Sequence, residues 1–220
     1  MKINNCDFPD DVLYDVENFT WIKNESDTEI ITVGIIPILT HIAGKISAIK
    51  LKKNGTLIEK DMSIGSIESS RYFTVIRSPI KGEIVEINNK IIENPKIVNN
   101  FPYGNGWFVR LKVLEKQSVQ LQGISDCHDK IKSLIEFYRV RCFKEFPDHE
   151  MFEIGEECSA TLVKLDELLE KINVGEVVHL VSDDITADIE LTRWSQENSQ
   201  EILEISRENR LFHFLIKKLS

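Results

Sequence analysis

The sequence predicts two folded parts of different class: a mostly-β domain of the sandwich or barrel kind, then an α/β domain with the element order β-α-β-α-β-β, joined by a helical segment. Three observations predict it. Runs rich in Ile and Val alternate with Gly and Asn turn formers as far as about Leu114. Helical spacing of apolar residues follows from Ser125 onward. After Pro147 the apolar period switches between strand and helix values several times within a short stretch.

In the first part, strands are expected over Glu29–Val33, Lys45–Leu51, Gly65–Ser69, Gly82–Ile87 and Trp107–Lys112. Gly34, Gly44, Asn54-Gly55, Asn88-Asn89 and Gly104-Asn-Gly106 separate them, the signature of short antiparallel strands that close on one another. From Ser125 to about Phe146, Ile131, Leu134, Ile135, Tyr138 and Cys142 fall at helical spacing behind a Ser125/Asp126 start signal. In the second part, Met151–Glu157 reads as a strand and Ser159–Ile172 as a helix with Leu162, Leu165, Leu168, Leu169 and Ile172 on one face. Val174-Gly175 ends that helix, Glu176–Ser182 reads as a strand and Ala187 to about Gln200 as a second helix. Glu201–Ser206 and Leu211–Lys217 are then strands joined by the polar turn Arg207–Arg210. Two helices can thus cover one face of a four-stranded sheet. The expected domains are 1–122, a helical connector 123–147, and 148–220.

The chain has 220 residues and a formal net charge of −9. Phosphate binding needs concentrated Lys and Arg, so the acidic balance argues against a nucleic-acid partner and favours protein or small-molecule partners. The longest apolar stretch, Ile30–Leu39, is interrupted by Thr32, Gly34 and Pro37, and no basic leader precedes an apolar core. The expectation is therefore no membrane partner and a cytoplasmic location. The four cysteines, at 6, 127, 142 and 158, form no Cys-x-x-Cys pair. They are read as free thiols in a reducing compartment. Cys127-His128 with Cys142 lacks a fourth ligand and a recognisable spacing, so no metal site is expected.

Between Phe8 and Val113 stand Pro9-Asp-Asp, Tyr14, Trp21, Val33-Gly34-Ile35, a hairpin frame Gly65-Ser-Ile-Glu-Ser-Ser-Arg71 followed by Ser78-Pro79-Ile-Lys-Gly82-Glu83, and the run Val98-Asn99-Asn-Phe-Pro102-Tyr103-Gly104-Asn-Gly106-Trp107. This region resembles the glycine cleavage H proteins. The resemblance implies a lipoyl-type barrel-sandwich hybrid and places Arg71 at the lipoyl-attachment position, with Glu68 and Ser69 as hairpin recognition residues. A lipoyl carrier needs an amine that can lose its proton and become an amide. Arginine stays charged, with a pKa above about 12, and is a poor acyl acceptor. No lysine occurs between Lys60 and Lys81. The expectation is an unmodified Arg71 and no lipoate cofactor.

From about His149 to Lys218, Cys158 stands between the first strand and first helix, Val174-Gly175-Glu176 ends the helix, Asp183-Asp184 follows the second strand and Phe214-Leu-Ile-Lys217 closes the sheet. This part resembles the TusA family of small sulfur carriers, an α/β two-layer sandwich. In that family the cysteine belongs to a Cys-Pro-x-Pro motif; here Ser159 and Thr161 replace both prolines. The resemblance implies Cys158 as the persulfide carrier.

The chemistry can also be argued from the residues. A cysteine at a helix N-terminus lies near free N–H groups and the positive end of the helix dipole, which favour thiolate. A thiolate could take sulfane sulfur from one partner and yield it to another. Glu156 and Glu157 would oppose this if their carboxylates face the sulfur. The alternative is that Cys158 is a small buried apolar side chain. Arg71, beside Tyr72 and near Arg77, could bind an anion or carboxylate, or be solvated. His179 and His213 lie in strands and read as structural. Asp183-Asp184 reads as a cap near the second helix.

These readings combine into a sulfur relay through Cys158, with sulfur donor and acceptor proteins as partners and the first domain as docking module, a carrier more than a stand-alone enzyme. The alternatives are a non-catalytic adaptor without covalent chemistry and, third, a glycine cleavage carrier.

Overall fold

The computed structural model describes residues 1–26, 28–114 and 121–220. The stretch 115–120 of the expected first domain lies outside them. The chain divides into two compact units, Met1–Cys142 and Phe143–Ser220.

The first unit contains β1 (Lys2–Ile3), β2 (Cys6–Asp7), β3 (Leu13–Asp15), β4 (Thr20–Asn24), β5 (Ile30–Ile35), α1 (Pro37–Ala43), β6 (Ile46–Leu51), β7 (Leu57–Ile58), β8 (Ser63–Ser69), β9 (Phe73–Arg77), β10 (Gly82–Ile87), α2 (Asn89–Glu93), α3 (Lys96–Asn100), β11 (Val109–Val113) and α4 (Ile124–Tyr138). An open six-stranded sheet, β3-β4-β5-β11-β10-β7, faces a three-stranded sheet, β6-β8-β9. Val33, Ile35, Ile84 and Leu111 of the first meet Ile49, Ile64, Ile67 and Ile76 of the second in one core. This is the sandwich expected from alternating Ile and Val. Gly34 is required by a close approach, since a Cβ there would collide with the Trp21 indole. That indole N–H donates to both Ile35 O and Pro102 O at 3.1 Å.

Helix α1 was not expected, because its residues continue the apolar stretch that begins in β5. Pro37 at the first helical position presets φ, and Pro37, Ile38, Leu39, Thr40 and Ala43 are buried. Gly44, at φ 75°, ends it by donating its N–H to Thr40 O.

Helix α4 packs inside the first unit. Ile124, Cys127, Ile131 and Ile135 share a core with Phe8, Tyr14, Trp21 and Ile38. The helix expected as far as Phe146 ends at Tyr138, where Arg139 takes a left-handed conformation. Cys142 is therefore off the helix and is disulfide-bonded to Cys6, with Cα atoms 5.0 Å apart. This corrects the expectation of four free thiols: only Cys127 and Cys158 are free. Spacing could not show the bond, because its cysteines are 136 residues apart.

The second unit contains β12 (His149–Glu153), α5 (Cys158–Lys171), β13 (Val177–Ser182), α6 (Ala187–Glu197), β14 (Glu201–Glu208) and β15 (Leu211–Lys217). Its sheet order is β12-β13-β15-β14, with β12 and β13 parallel and the other pairs antiparallel. Leu165 and Leu169 of α5 and Leu191 and Trp194 of α6 cover Val178, Leu180, Phe212, Phe214 and Ile216. The expected α/β two-layer sandwich is present. Several limits differ from expectation: β12 runs His149–Glu153 against the expected Met151–Glu157, leaving 154–157 as a loop, and β14 continues to Glu208, past the expected Ser206, so the last hairpin turns at Asn209-Arg210, with Asn209 at φ 56°.

Thiol titration of the unfolded, unreduced protein should find two reactive cysteines of the four. Replacing Cys142 with serine should lower the stability of the first unit by about 2–4 kcal/mol, read from its urea midpoint. Four titratable thiols and an unchanged midpoint would contradict the bond.

Candidate functional site

Two places gather the residues that the sequence singles out, one in each unit. In the first unit, β8 and β9 pair with Glu68 opposite Phe73, and Ser69 opens the turn between them. The Ser69 hydroxyl donates to Ala43 O at 2.6 Å and accepts from the Arg71 and Tyr72 N–H groups at 3.3 and 3.1 Å. One side chain thus shapes the turn and fastens it to the end of α1. Arg71 follows the same direction. Its Nη2 donates to His41 O at 3.2 Å, a carbonyl of the last turn of α1, where a cation is favoured by the helix dipole. The guanidinium lies so close to Gly44 that a Cβ there would sit 2.8 Å from Arg71 Nε. Arg77 does not join Arg71; its Nη1 donates to Asp61 O. Glu68 is exposed.

The support under this turn was not read from the sequence as such. Asn99 is buried, donates through Nδ2 to Gly44 O at 2.9 Å and accepts from Ile46 N–H at 3.1 Å. It belongs to the run Val98–Trp107 on which the resemblance was argued, so the signal was present without its reason.

In the second unit, Cys158 is the first residue of α5 and is 5% exposed. The loop before it and the loop after β13 are tied by two carboxylates. Asp183 Oδ1 accepts from Gly155 N–H at 2.7 Å, and Asp184 Oδ2 accepts from Cys158 N–H at 2.8 Å. Gly155, at φ 77°, makes the turn that presents its N–H. Asp184 Oδ1 also accepts from the Thr186 N–H and hydroxyl, at 2.8 and 2.7 Å, and these bonds hold its own carboxyl below the usual range. Asp184 therefore braces the entry to both helices.

This arrangement overturns the electrostatic expectation for the thiol. The anion at the start of α5 is the Asp184 carboxylate, already bonded to the Cys158 N–H. Burial, then the charges of Asp184 and Glu190, push the Cys158 thiol up to about 11 from its ordinary 9.0. Glu156 is turned toward Lys164, with Oε1 3.5 Å from Nζ, and Glu157 makes no side-chain cap. The opposing carboxylates come from across the fold, where sequence proximity could not locate them.

His179 and His213, on adjacent strands, are buried and bonded to each other, Nε2 to Nδ1 at 2.9 Å, with stacked rings. Among the described residues, no group of three or more His, Cys, Asp or Glu could hold a metal ion, and no helix is long and apolar enough to cross a membrane.

The family model of the glycine cleavage H-protein matches residues 12–134. The chain belongs to this family. A second model, sulfurtransferase TusA, matches residues 153–218, so an H-protein domain is fused here to a TusA-type domain of the sulfur-carrier kind. Glycine cleavage system H protein 2 of Aquifex aeolicus is 37% identical over 147 residues, covering 66% of this chain and 90% of that protein. A probable glycine cleavage system H protein 2 of Sulfurisphaera tokodaii is 35% identical over 144 residues, covering 64% of this chain and 97% of its own length. Among solved structures, a glycine cleavage system H protein from Mycobacterium marinum shares the fold, with a TM-score of 0.52 and 23% identity, covering 56% of this chain and 98% of that one. The H-protein family thus accounts for the first unit, and the TusA match falls within the second.

Alkylation of Cys158, followed by peptide mass spectrometry, should be slow near about pH 7 and rise roughly tenfold per pH unit until the thiol titrates near about 11. Asp184→Asn removes a negative charge beside the sulfur, so it should lower that midpoint and speed alkylation at fixed pH. The folded state keeps this proton where an unfolded chain has lost it. The associated stability is therefore complete below about pH 9 and lost as pH rises toward 11. A flat rate profile would contradict the assignment.

Proposed function

We propose that the protein relays sulfane sulfur through Cys158, with the H-protein domain serving as a docking module for protein partners. The observation that carries this reading is the seat of Cys158: the first residue of α5, at the strand-to-helix junction, inside the region matched by the TusA model. The transfer is redox-neutral. Cys158 Sγ, as thiolate, attacks the terminal sulfur of a donor persulfide. A new S–S bond forms at Cys158 as the donor's S–S bond breaks, and the donor leaves as thiolate and takes up the proton that Cys158 lost. Delivery to an acceptor thiol repeats the exchange.

The docking role is supported by the way the hairpin is held. Ser69 and Arg71 both bond to α1 carbonyls, which suits a firm protein-facing knob better than a swinging arm. The hairpin residues do not fit lipoate. The side chain at the position that the H-protein resemblance gives for attachment is a guanidinium, permanently charged and without a nucleophilic amine. We therefore read Arg71 as unmodified.

A second reading, an adaptor with no covalent chemistry, is favoured by one observation: the thiol is buried and its ionisation disfavoured. The two readings separate experimentally. After incubation with a cysteine desulfurase and cysteine, intact mass spectrometry should show addition of a sulfur atom that Cys158→Ser abolishes. Absence of the adduct, with partner binding unchanged in Cys158→Ala, would establish the adaptor instead. Lipoate ligase with lipoate and ATP should leave the wild-type mass unchanged; modification of the wild type would restore the glycine cleavage carrier role.

A further inference from the structure

The edge of a sheet presents a row of backbone N–H and C=O groups, and proteins shield such edges with charge, proline, shortness or cover. Most edges of this chain are shielded. β12 carries Glu150 and Glu153, and β14 carries Glu201, Glu204 and Glu208. β6 packs against α2 and α3, β3 is bridged to Gln122, and β1, β2 and β7 have two residues each. β9 differs. It lies at the edge of the sheet β6-β8-β9 and reads Phe73-Thr-Val-Ile-Arg77, without proline, lysine or acid.

The direction of its backbone groups follows from its two ends. Tyr72 O accepts from Ser69 N–H at 2.9 Å, and Ser78 N–H donates to Met62 O at 2.8 Å, so both residues bond toward β8. Bonding alternates along an antiparallel strand, so Phe73, Val75 and Arg77 turn their N–H and C=O groups outward. Among the described residues, no backbone bond outside the strand ladders uses those groups. The same three residues carry the exposed side chains: Phe73 is 63% and Val75 38% exposed, while Ile76 is in the core.

We propose that β9 is a docking edge for a second copy of this chain, the two strands pairing antiparallel about Val75 into one continuous sheet. The sequence of the strand is self-complementary in this register. Val75 meets its own counterpart and Phe73 meets Arg77 of the second copy, so every outward group finds a partner and no like charges are opposed. Arg77 Nη1 donates in the guanidinium plane to Asp61 O, which leaves the flat face of the group for the Phe73 ring across the joint. The neighbouring registers are worse. A shift one way opposes Arg77 to Arg71, and a shift the other way opposes Phe73 to Pro79, which has no N–H to give. An isologous pair of this kind closes on itself and forms no fibre.

The test is sedimentation equilibrium of the full chain over a rising concentration series. A five-residue edge makes a small interface, of the weak class below about 1,200 Å², so half-dimerisation is expected on the order of 0.1–1 mM. Phe73→Lys sets a like charge against Arg77 of the second copy but faces Glu68 within its own hairpin. It should weaken the dimer roughly tenfold without lowering the melting temperature. Crosslinking fixes the register. Val75→Cys should form a disulfide with its own counterpart under mild oxidation, because a hydrogen-bonded pair sets the Cα atoms about 5.5 Å apart. Phe73→Cys alone should not crosslink, whereas Phe73→Cys mixed with Arg77→Cys should. A wild type that stays monomeric throughout the series, a Phe73→Lys variant that dimerises as well as the wild type, or Phe73→Cys crosslinking to itself as readily as Val75→Cys overturns the proposal.

Discussion

The Asp184 carboxylate is the constraint on which the second unit's site depends. One oxygen accepts from the Cys158 N–H and the other from Thr186, so a single side chain fixes the starts of two helices that follow different strands. Helix starts need such partners because their first N–H groups have none within the helix. The consequence is chemical as well as structural. An anion already sits where a thiolate would gain most from the helix dipole, and the sulfur is left protonated under ordinary conditions. Under the proposed relay, a partner at the loops tied by Asp183 and Asp184 would have to supply a base or a compensating charge.

The first unit uses the same device with the sign reversed. At the C-terminal end of α1 the orphan groups are carbonyls, and donors converge on them: the Ser69 hydroxyl on Ala43 O and the Arg71 guanidinium on His41 O. Asn99 holds the adjoining turn at Gly44 from beneath. A helix of one or two turns, too short to be stable alone, is thereby held by its core-facing side chains and by these bonds. The hairpin tip is defined by the body it rests on, which is why Gly44 can carry no side chain without displacing Arg71.

Much of the architecture was legible because it rests on local periodicity. Strands β10 and β15 have the limits that the sequence suggests, and helices α5 and α6 lie where apolar residues recur at helical spacing. Helix α1 was hidden because it is buried on most sides, and a short, nearly continuous apolar run does not distinguish helix from strand. The extent of α4 was overread for a related reason. Cys142 falls at helical spacing by coincidence, whereas Arg139 has already turned the chain. The disulfide and the bond from the Cys158 N–H to Asp184 were invisible because each joins residues far apart in sequence, whereas the Asp184 bonds to Thr186, two residues on, agree with the cap read near the second helix.

By itself the sequence determined the two fold classes, the arginine in the hairpin and the cysteine at the start of α5, since periodicity and residue identity are properties of the chain. Only the tertiary structure decided the state of those groups. The bond of Cys6 to Cys142, the resting place of Arg71 on α1 and the charges around Cys158 all depend on distances through space. Electrostatic interaction and covalent pairing follow those distances, and sequence separation does not supply them.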